Sequence, residues 1–275
     1  MNLRLGNYSI SKQLIKNTTN FLNIKHYSFI NYIFNKSGVF YGWGRKKSGL
    51  KAMKLAKKHN TSFILLEDGF IRSLGLGVEG SPSFSLIEDD IGVYYDATVP
   101  SKLENILNTY DFTSDEKLME DACRAIGLIV EHHISKYNDS KEVDSGFRIK
   151  YGITNFKSGM TENDENRVLV VAQTAGDASL KYGMIDDYST DEMIDAAISE
   201  NPNATVYLKV HPDVLSAKKK SDIDIETAKK KCIIIEENVN PISLLNHFSK
   251  VYTKTSGMGF ILPQEIQTTF SKLLF

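Results

Sequence analysis

Cysteine is scarce in this 275-residue chain: Cys123 and Cys232 stand far apart, each inside an apolar periodic segment, with no CxxC pair and no histidine at ligand spacing. That excludes a disulfide scaffold and a thiolate metal site, and it predicts two buried free thiols in a reducing compartment. Long apolar runs are missing as well. Polar residues interrupt every hydrophobic stretch of the opening MNLRLGNYSISKQLIKN, so there is no signal-peptide core, and no segment approaches the ~20 apolar residues a membrane span needs. The expected location is the cytosol, or at most a membrane surface. Net charge is nearly absent at −1, which removes a global electrostatic case for nucleic acid while leaving room for a local basic face. What is present builds cores. The chain is 41% hydrophobic and 24% charged, with 13 Tyr and 14 Phe, which excludes a disordered chain and suffices for two ordinary domains or one large one.

Residues 7 to 36 read as one or two short amphipathic helices, with Ile10, Leu14, Ile15, Phe21, Ile24 and Phe29 on the apolar side. VFYGW, from Val39 to Trp43, reads as a buried strand, and Ser48 can cap a helix from Gly49 to His59. That helix carries Lys51, Lys54, Lys57 and Lys58, a face suited to anionic lipid or simply to solvent. SFILL, from Ser62 to Leu66, is a second strand running into Glu67, Asp68 and Arg72. Gly75 to Gly80 spells GxGxxG, but Ser81-Pro82-Ser83 and an extended run follow it. A dinucleotide site needs a helix there, so an NAD-dependent dehydrogenase is excluded. Phe84–Ile87 and Gly92–Tyr95 read as a ribbon around Glu88-Asp89-Asp90, an exposed turn rather than a cation site. The pairs Ser101/Glu104 and Thr113/Glu116 predict capping boxes opening helices over 101–110 and 114–137. On the second, His132 and His133 point to different faces and do not suit one metal.

The polar stretch 138–166 reads as a link, dividing the chain into domains of residues 1–150 and 151–275. Beyond it the pattern is plain βαβ: strands at 168–173, 204–210, 232–236 and 251–255, a helix opened by Ser189 and Glu192, and another capped by Asn240 with Pro241 in its first turn. Parallel strands bring their C-terminal ends to one edge. Those ends carry Gln173 to Ser179 with Asp177 between, Lys209-Val210-His211-Pro212, and Thr253 to Gly257 with Ser256. Lys209, His211, Ser256 and Gly257 suit a nucleotide's phosphate and ribose. Asp177, after the sharp turn that Gly176 permits, suits a catalytic carboxylate and equally a helix cap.

Six segments together carry a resemblance: FYGWGRKKSGLKAMKLAKK, LLEDGFIRSLGLGVEG, IGVYYDAT, VAQTAGDASLKYG, LKVHPDV and VYTKTSGMGF. In that order they resemble the motifs of the capsule-polysaccharide β-Kdo transferases of the KpsC type, over roughly residues 38 to 260. The resemblance is to the first of the two transferase modules such proteins carry. It implies an α/β, GT-B-like pair of Rossmann-type domains, an acceptor-side domain followed by a nucleotide-sugar-binding one. The activity implied is retaining transfer of Kdo from CMP-Kdo to a lipid-linked, phosphatidylglycerol-type acceptor, with no cofactor and no metal. By the same resemblance Asp177 would attack the anomeric carbon and Glu67 would act as general acid/base, with His211 the third catalytic residue. Lys209, His211 and Pro212, with Ser256, Gly257, Gln173 and Ser179, would hold the cytidine monophosphate, and Asp68, Arg72 and Arg45 would lie on the acceptor side. Glu67 or Asp68 can equally be a structural partner of Arg72. Expected partners are other capsule-assembly proteins and the cytoplasmic face of the inner membrane, not nucleic acid. Two other readings stay open, a GT-B transferase for another nucleotide sugar and a non-catalytic nucleotide- or lipid-binding assembly protein. One departure is plain. After Phe260 the chain reads ILPQEIQTTFSKLLF, where Pro263 and Thr268-Thr269 disfavour the family's helix start, so the second domain is expected to be incomplete at its C-terminus and its activity impaired.

Overall fold

The computed structural model describes residues 6–34, 36, 38–75, 80–153, 167–185 and 187–260. The chain forms two compact units, Met1–Asp121 and Ala122–Phe275. Each is a sheet of mainly parallel strands with helical connections, as the alternation predicts.

In the first unit the elements are β1 (Gly6–Ser9), α1 (Lys12–Thr18), β2 (Lys25–His26), α2 (Phe29–Ile33), β3 (Gly38–Trp43), α3 (Lys47–His59), β4 (Phe63–Asp68), β5 (Leu86–Asp89) and α4 (Lys102–Thr109). The strand order is β2-β1-β3-β4-β5, parallel except for β5 against β4. Residues 7 to 36 are therefore not only helical. Asn7 and Tyr8 pair with Val39 and Phe40, and rings of Tyr8, Tyr27 and Phe40 pack edge to face or tilted within 6.3 Å. Leu14 and Ile24 are buried as expected, whereas Phe21 and Phe29 are exposed. Helix α3 begins earlier than expected, with Lys46 at its cap position; the Ser48 hydroxyl instead accepts the Trp43 amide at 3.0 Å. Gly42 and Gly49 let β3 and α3 touch, since a Cβ on Gly49 would lie 1.8 Å from the Gly44 carbonyl oxygen.

The acidic ribbon also differs. β5 pairs with β4, not with residues 92–95, and Asp89 is buried rather than in an exposed turn. Its carboxylate accepts the amides of Ile91, Gly92 and Lys102 at 2.7–2.8 Å, tying the loop to the start of α4. Ser101 and Glu104 form the expected capping box. Thr113 and Glu116 do not, because Asp111 takes the Thr113 hydroxyl and Asp115 caps the helix by accepting the Leu118 amide. That helix, α5 (Glu116–Glu131), spans the division and stops short of both histidines. His133 has φ +48° and lies 2.8 Å from Glu142. Among the described residues no helix is long and apolar enough to cross a membrane, and no three His, Cys, Asp or Glu gather as metal ligands do.

The second unit contains α6 (Ser145–Lys150), β6 (Arg167–Val171), α7 (Ala178–Tyr182), α8 (Thr190–Glu200), β7 (Thr205–Lys209), α9 (Pro212–Leu215), α10 (Ile225–Ala228), β8 (Ile233–Ile235), α11 (Pro241–Leu245) and β9 (Lys250–Tyr252). All four strands are parallel in the order β8-β7-β6-β9. The division falls between 121 and 122, not at 150. Phe147, Tyr151 and Ile153 pack with Leu169, Tyr207 and Leu244 in one core of this unit, so the stretch expected to link the domains is partly interior. Residues 154–166 of that stretch, 76–79 of the GxGxxG pattern and the tail from 261 lie outside the described residues.

Cys232 is partly buried and Cys123, contrary to expectation, is exposed on α5. Burial pushes the Cys232 thiol up to about 11, leaving about one thiolate in a thousand at pH 8. A thiol reagent at that pH should therefore modify Cys123 rapidly and Cys232 only on unfolding. Peptide mass mapping of a time course checks this.

Candidate active site

The central strand of the second unit is β6, with β7 on one side and β9 on the other. The chain path runs from β6 through β7 to β8 and then returns to the opposite side of β6, so the C-terminal end of β6 is a topological switch point, where open α/β sheets bind ligands. All three expected polar groups converge there. Gln173 follows β6 and holds Thr255 beyond β9: its Nε2 donates to Thr255 Oγ1 at 2.9 Å, and Thr255 N donates to its Oε1 at 3.0 Å. Thr255 Oγ1 lies 2.7 Å from Ser179 Oγ, and Ser179 donates to Asp177 Oδ1 through both its amide (3.0 Å) and its hydroxyl (3.1 Å). A carboxylate only accepts, so Asp177 is the end point of the Ser179 amide and hydroxyl protons.

Asp177 is the N-cap of α7, preceded by Gly176 at φ +72°. The capping geometry engages Oδ1 alone. The loop before it is braced from the side: Ala175 N donates to the Lys220 carbonyl at 3.0 Å, and the Asp222 carboxylate pairs with the buried Lys254 ammonium at 2.9 Å.

On β7 the last residue, Lys209, is buried, and its Nζ has no hydrogen-bond acceptor among the described residues. Burial pushes its pKa down to about 8. His211 caps α9 through Nδ1, which accepts the Asp213 amide at 3.1 Å, with Pro212 at the first helical position. Nδ1 therefore carries no proton, and Nε2–H is the donor edge. Burial lowers the His211 pKa, Asp213 opposes this, Lys219 and Lys209 lower it further, and the nearby Asp177 charge opposes again. That last effect places Asp177 within electrostatic reach of His211. Ser256 opens a 3-10 turn over Gly257–Phe260, its carbonyl accepting the Gly259 amide at 3.0 Å, and a Cβ added to Gly257 would meet open space.

The first unit holds a second cluster, at the C-terminal ends of β3 and β4. Tyr95 donates to Glu67 Oε1 at 2.9 Å and accepts the Arg45 amide at 3.1 Å. A Cβ on Gly44 would sit 2.0 Å from that same Oε1, so only glycine admits the carboxylate so close to the backbone. Burial and the Glu67 charge raise the Tyr95 pKa well above the usual phenol range, so its hydroxyl keeps its proton for Glu67. The Arg45 guanidinium is buried against Asp96. Burial works against ionising Asp96, but hydrogen bonds from Thr98 and the Arg45 charge outweigh it and hold the carboxyl below its usual range. Asp68 pairs with Arg72 at 2.8 Å; Arg72 is itself buried and also donates to Ser73 and the Ser81 carbonyl. No local spacing in the sequence marks Tyr95, Asp96 or Thr255 as site residues, although all three stand inside the resembling segments IGVYYDAT and VYTKTSGMGF.

Residues 39–262 match the family described as capsule polysaccharide biosynthesis protein. Over 219 residues the chain is 40% identical to the capsule polysaccharide modification protein LipA of Neisseria meningitidis serogroup A, covering 80% of this chain and 30% of LipA. It is 32% identical over 223 residues to the lipopolysaccharide-processing protein LpsZ of Rhizobium meliloti, covering 81% and 48% respectively. It thus spans under a third of LipA and about half of LpsZ. Among solved structures, the β-Kdo 2,4 transferase of Thermosulfurimonas dismutans KpsC superposes with a TM-score of 0.78 at 37% identity, over 94% of this chain and 76% of that one. The β-Kdo 2,7 transferase of the same KpsC superposes with a TM-score of 0.63 at 27% identity, over 94% and 74%. That likeness makes the two Rossmann-type units GT-B-like in fold class. With four-fifths of its length inside the matched region, this chain belongs to the capsule polysaccharide biosynthesis family.

Proposed function

We propose that this chain is a retaining β-Kdo glycosyltransferase module that takes Kdo from CMP-Kdo and passes it to a lipid-linked acceptor in capsule synthesis. The observation that carries the reading is Lys209, a buried ammonium without an acceptor among the described residues, at the end of the strand beside the switch point. Such a group is costly unless it meets an anion, and a nucleotide phosphate is the anion this edge suits. The relatives supply the sugar: the solved structures most relevant here are named β-Kdo transferases.

In this reading Asp177 attacks the anomeric carbon of Kdo through the oxygen not used in capping, and the bond from that carbon to the CMP phosphate oxygen breaks. The departing phosphate is received by Lys209 and by Nε2–H of His211, which provide the positive charge and hydrogen bonding without calling on a metal. An acceptor hydroxyl then displaces Asp177 while a base, assigned to Glu67, takes its proton. Two displacements give net retention. Gln173 and Ser179 orient Asp177, and Ser256 and Gly257 face the nucleotide.

A second reading is favoured by one observation, the capping role of Asp177: a nucleotide-binding assembly protein without transfer activity. Thermal shift with CMP, UDP and GDP, followed by intact mass after incubation with CMP-Kdo generated in situ, separates them. The proposal expects protection by CMP alone and a covalent increment of one Kdo. Protection by CMP without the increment favours the second reading, and protection by UDP or GDP instead overturns the choice of donor.

A further inference from the structure

The first carboxylate in the chain is Glu67; twelve Lys and Arg precede it and no Asp or Glu does. Within this basic stretch α2 is unusual, because it is built of large apolar residues and buries none of them. Phe29, Ile30, Ile33 and Phe34 are 75%, 63%, 60% and 72% exposed. The segment is nonetheless held firmly at its base. Tyr27 is buried against Phe40 and Tyr8, its hydroxyl donates to the Lys36 carbonyl at 2.9 Å, and the same hydroxyl lies 3.1 Å from His59 at the end of α3. Residues 28 to 34 thus form a braced excursion with an apolar tip.

Beside it runs the lysine stripe of α3. Lys47, Lys51, Lys54 and Lys58 follow one another at spacings of four, three and four, all exposed, on the face away from the buried Gly49, Ala52, Leu55 and Ala56. Lys58 Nζ sits 3.7 Å from the centre of the Tyr32 ring, and the Lys51 charge also reaches the Tyr32 hydroxyl. The apolar tip and the basic stripe are therefore one continuous surface.

We infer that this surface docks on an anionic lipid bilayer, with Phe29, Ile30, Ile33 and Phe34 entering the boundary between headgroups and acyl chains and the α3 lysines meeting lipid phosphates. Stable attachment needs two signals, an apolar insertion and a basic patch, and both are here. A nucleic-acid surface would account for the lysines but not for four exposed aliphatic and aromatic side chains beside them. The inference stands apart from the transferase reading, since it uses no residue of the strand-end site.

The test is flotation of the full chain with vesicles of phosphatidylcholine alone and of phosphatidylcholine with about one-third phosphatidylglycerol. The chain should float with the second and not the first, and it should be released by about 0.5 M salt. Phe29→Ser with Phe34→Ser should lower the partition more than about tenfold, and Lys51→Glu with Lys54→Glu at least as much. All four side chains are exposed, so thermal midpoints and CMP protection should be unchanged in both variants. Equal binding to the two vesicles, no binding to either, or full binding by either double variant overturns the inference. So does binding of a duplex oligonucleotide without flotation, or a dimer that the Phe29→Ser/Phe34→Ser variant abolishes.

Discussion

Lys209→Met should stabilise the ligand-free chain by about 2–3 kcal/mol at pH 7 while weakening CMP binding about 10- to 100-fold. The two effects have one cause. A lysine ordinarily near 10.5 that titrates at about 8 when folded is a charge the fold holds at a cost, and the difference corresponds to roughly 3 kcal/mol. Methionine keeps the unbranched length and removes the charge. The sign with pH follows. Below about 8 the lysine is protonated in both the folded and the unfolded chain, and the full cost is present. Between about 8 and 10.5 the unfolded chain binds the proton and the folded chain does not, so wild-type stability rises with pH. The gap between variant and wild type should narrow across that window and be widest at neutral pH. Urea melts of both proteins from pH 7 to 10.5, with calorimetric titration of CMP at pH 7, measure it. A variant less stable than wild type at pH 7 would mean that the ammonium has a partner in the apo protein.

Asp177→Asn should leave the fold intact and reduce sugar transfer by roughly 10⁴-fold or more, with no covalent Kdo on the protein. Asparagine caps a helix as well as aspartate does, whereas alanine forfeits about 1 kcal/mol. Asp177→Ala should thus lose both cap and transfer, and Asp177→Asn transfer alone. If Asp177 serves only to start α7, the asparagine variant instead keeps full activity. Circular-dichroism melts and single-turnover transfer, run side by side, separate the two roles of one side chain.

The parts of this structure that were legible in the sequence are those written in short-range pattern. Val168 to Val171 is an unbroken apolar run, and all of it is buried, as a parallel strand covered on both faces must be. Ser189 and Glu192 announce α8 three residues apart, and the box is there. Strands β1 and β2 were hidden because four and two residues carry no usable period, and their identity comes from Tyr8 and Tyr27 meeting Phe40. The partners of the site residues were hidden for a different reason. Tyr95 is 28 residues from Glu67, Asp96 is 51 from Arg45, and Thr255 is 82 from Gln173; no local spacing encodes such pairs. Asp89 is legible as a turn acid, since it collects the amides two and three residues on, but its burial is not, because the third amide, that of Lys102, is 13 residues away.

The pairing of β6 with β9 joins Val168 to Lys250, across about half of the second unit's length. β6 is the first strand of its sheet to be synthesised and gains its last neighbour only when the fourth emerges. Closing so long a loop is slow, and until it closes Gln173 has no Thr255 to grip and Asp177 no oriented serine. Assembly of the carboxylate's surroundings is therefore a late event on the ribosome: a nascent chain arrested after β8 would own three strands of the sheet and the aspartate itself, yet lack the strand-end contacts that aim it.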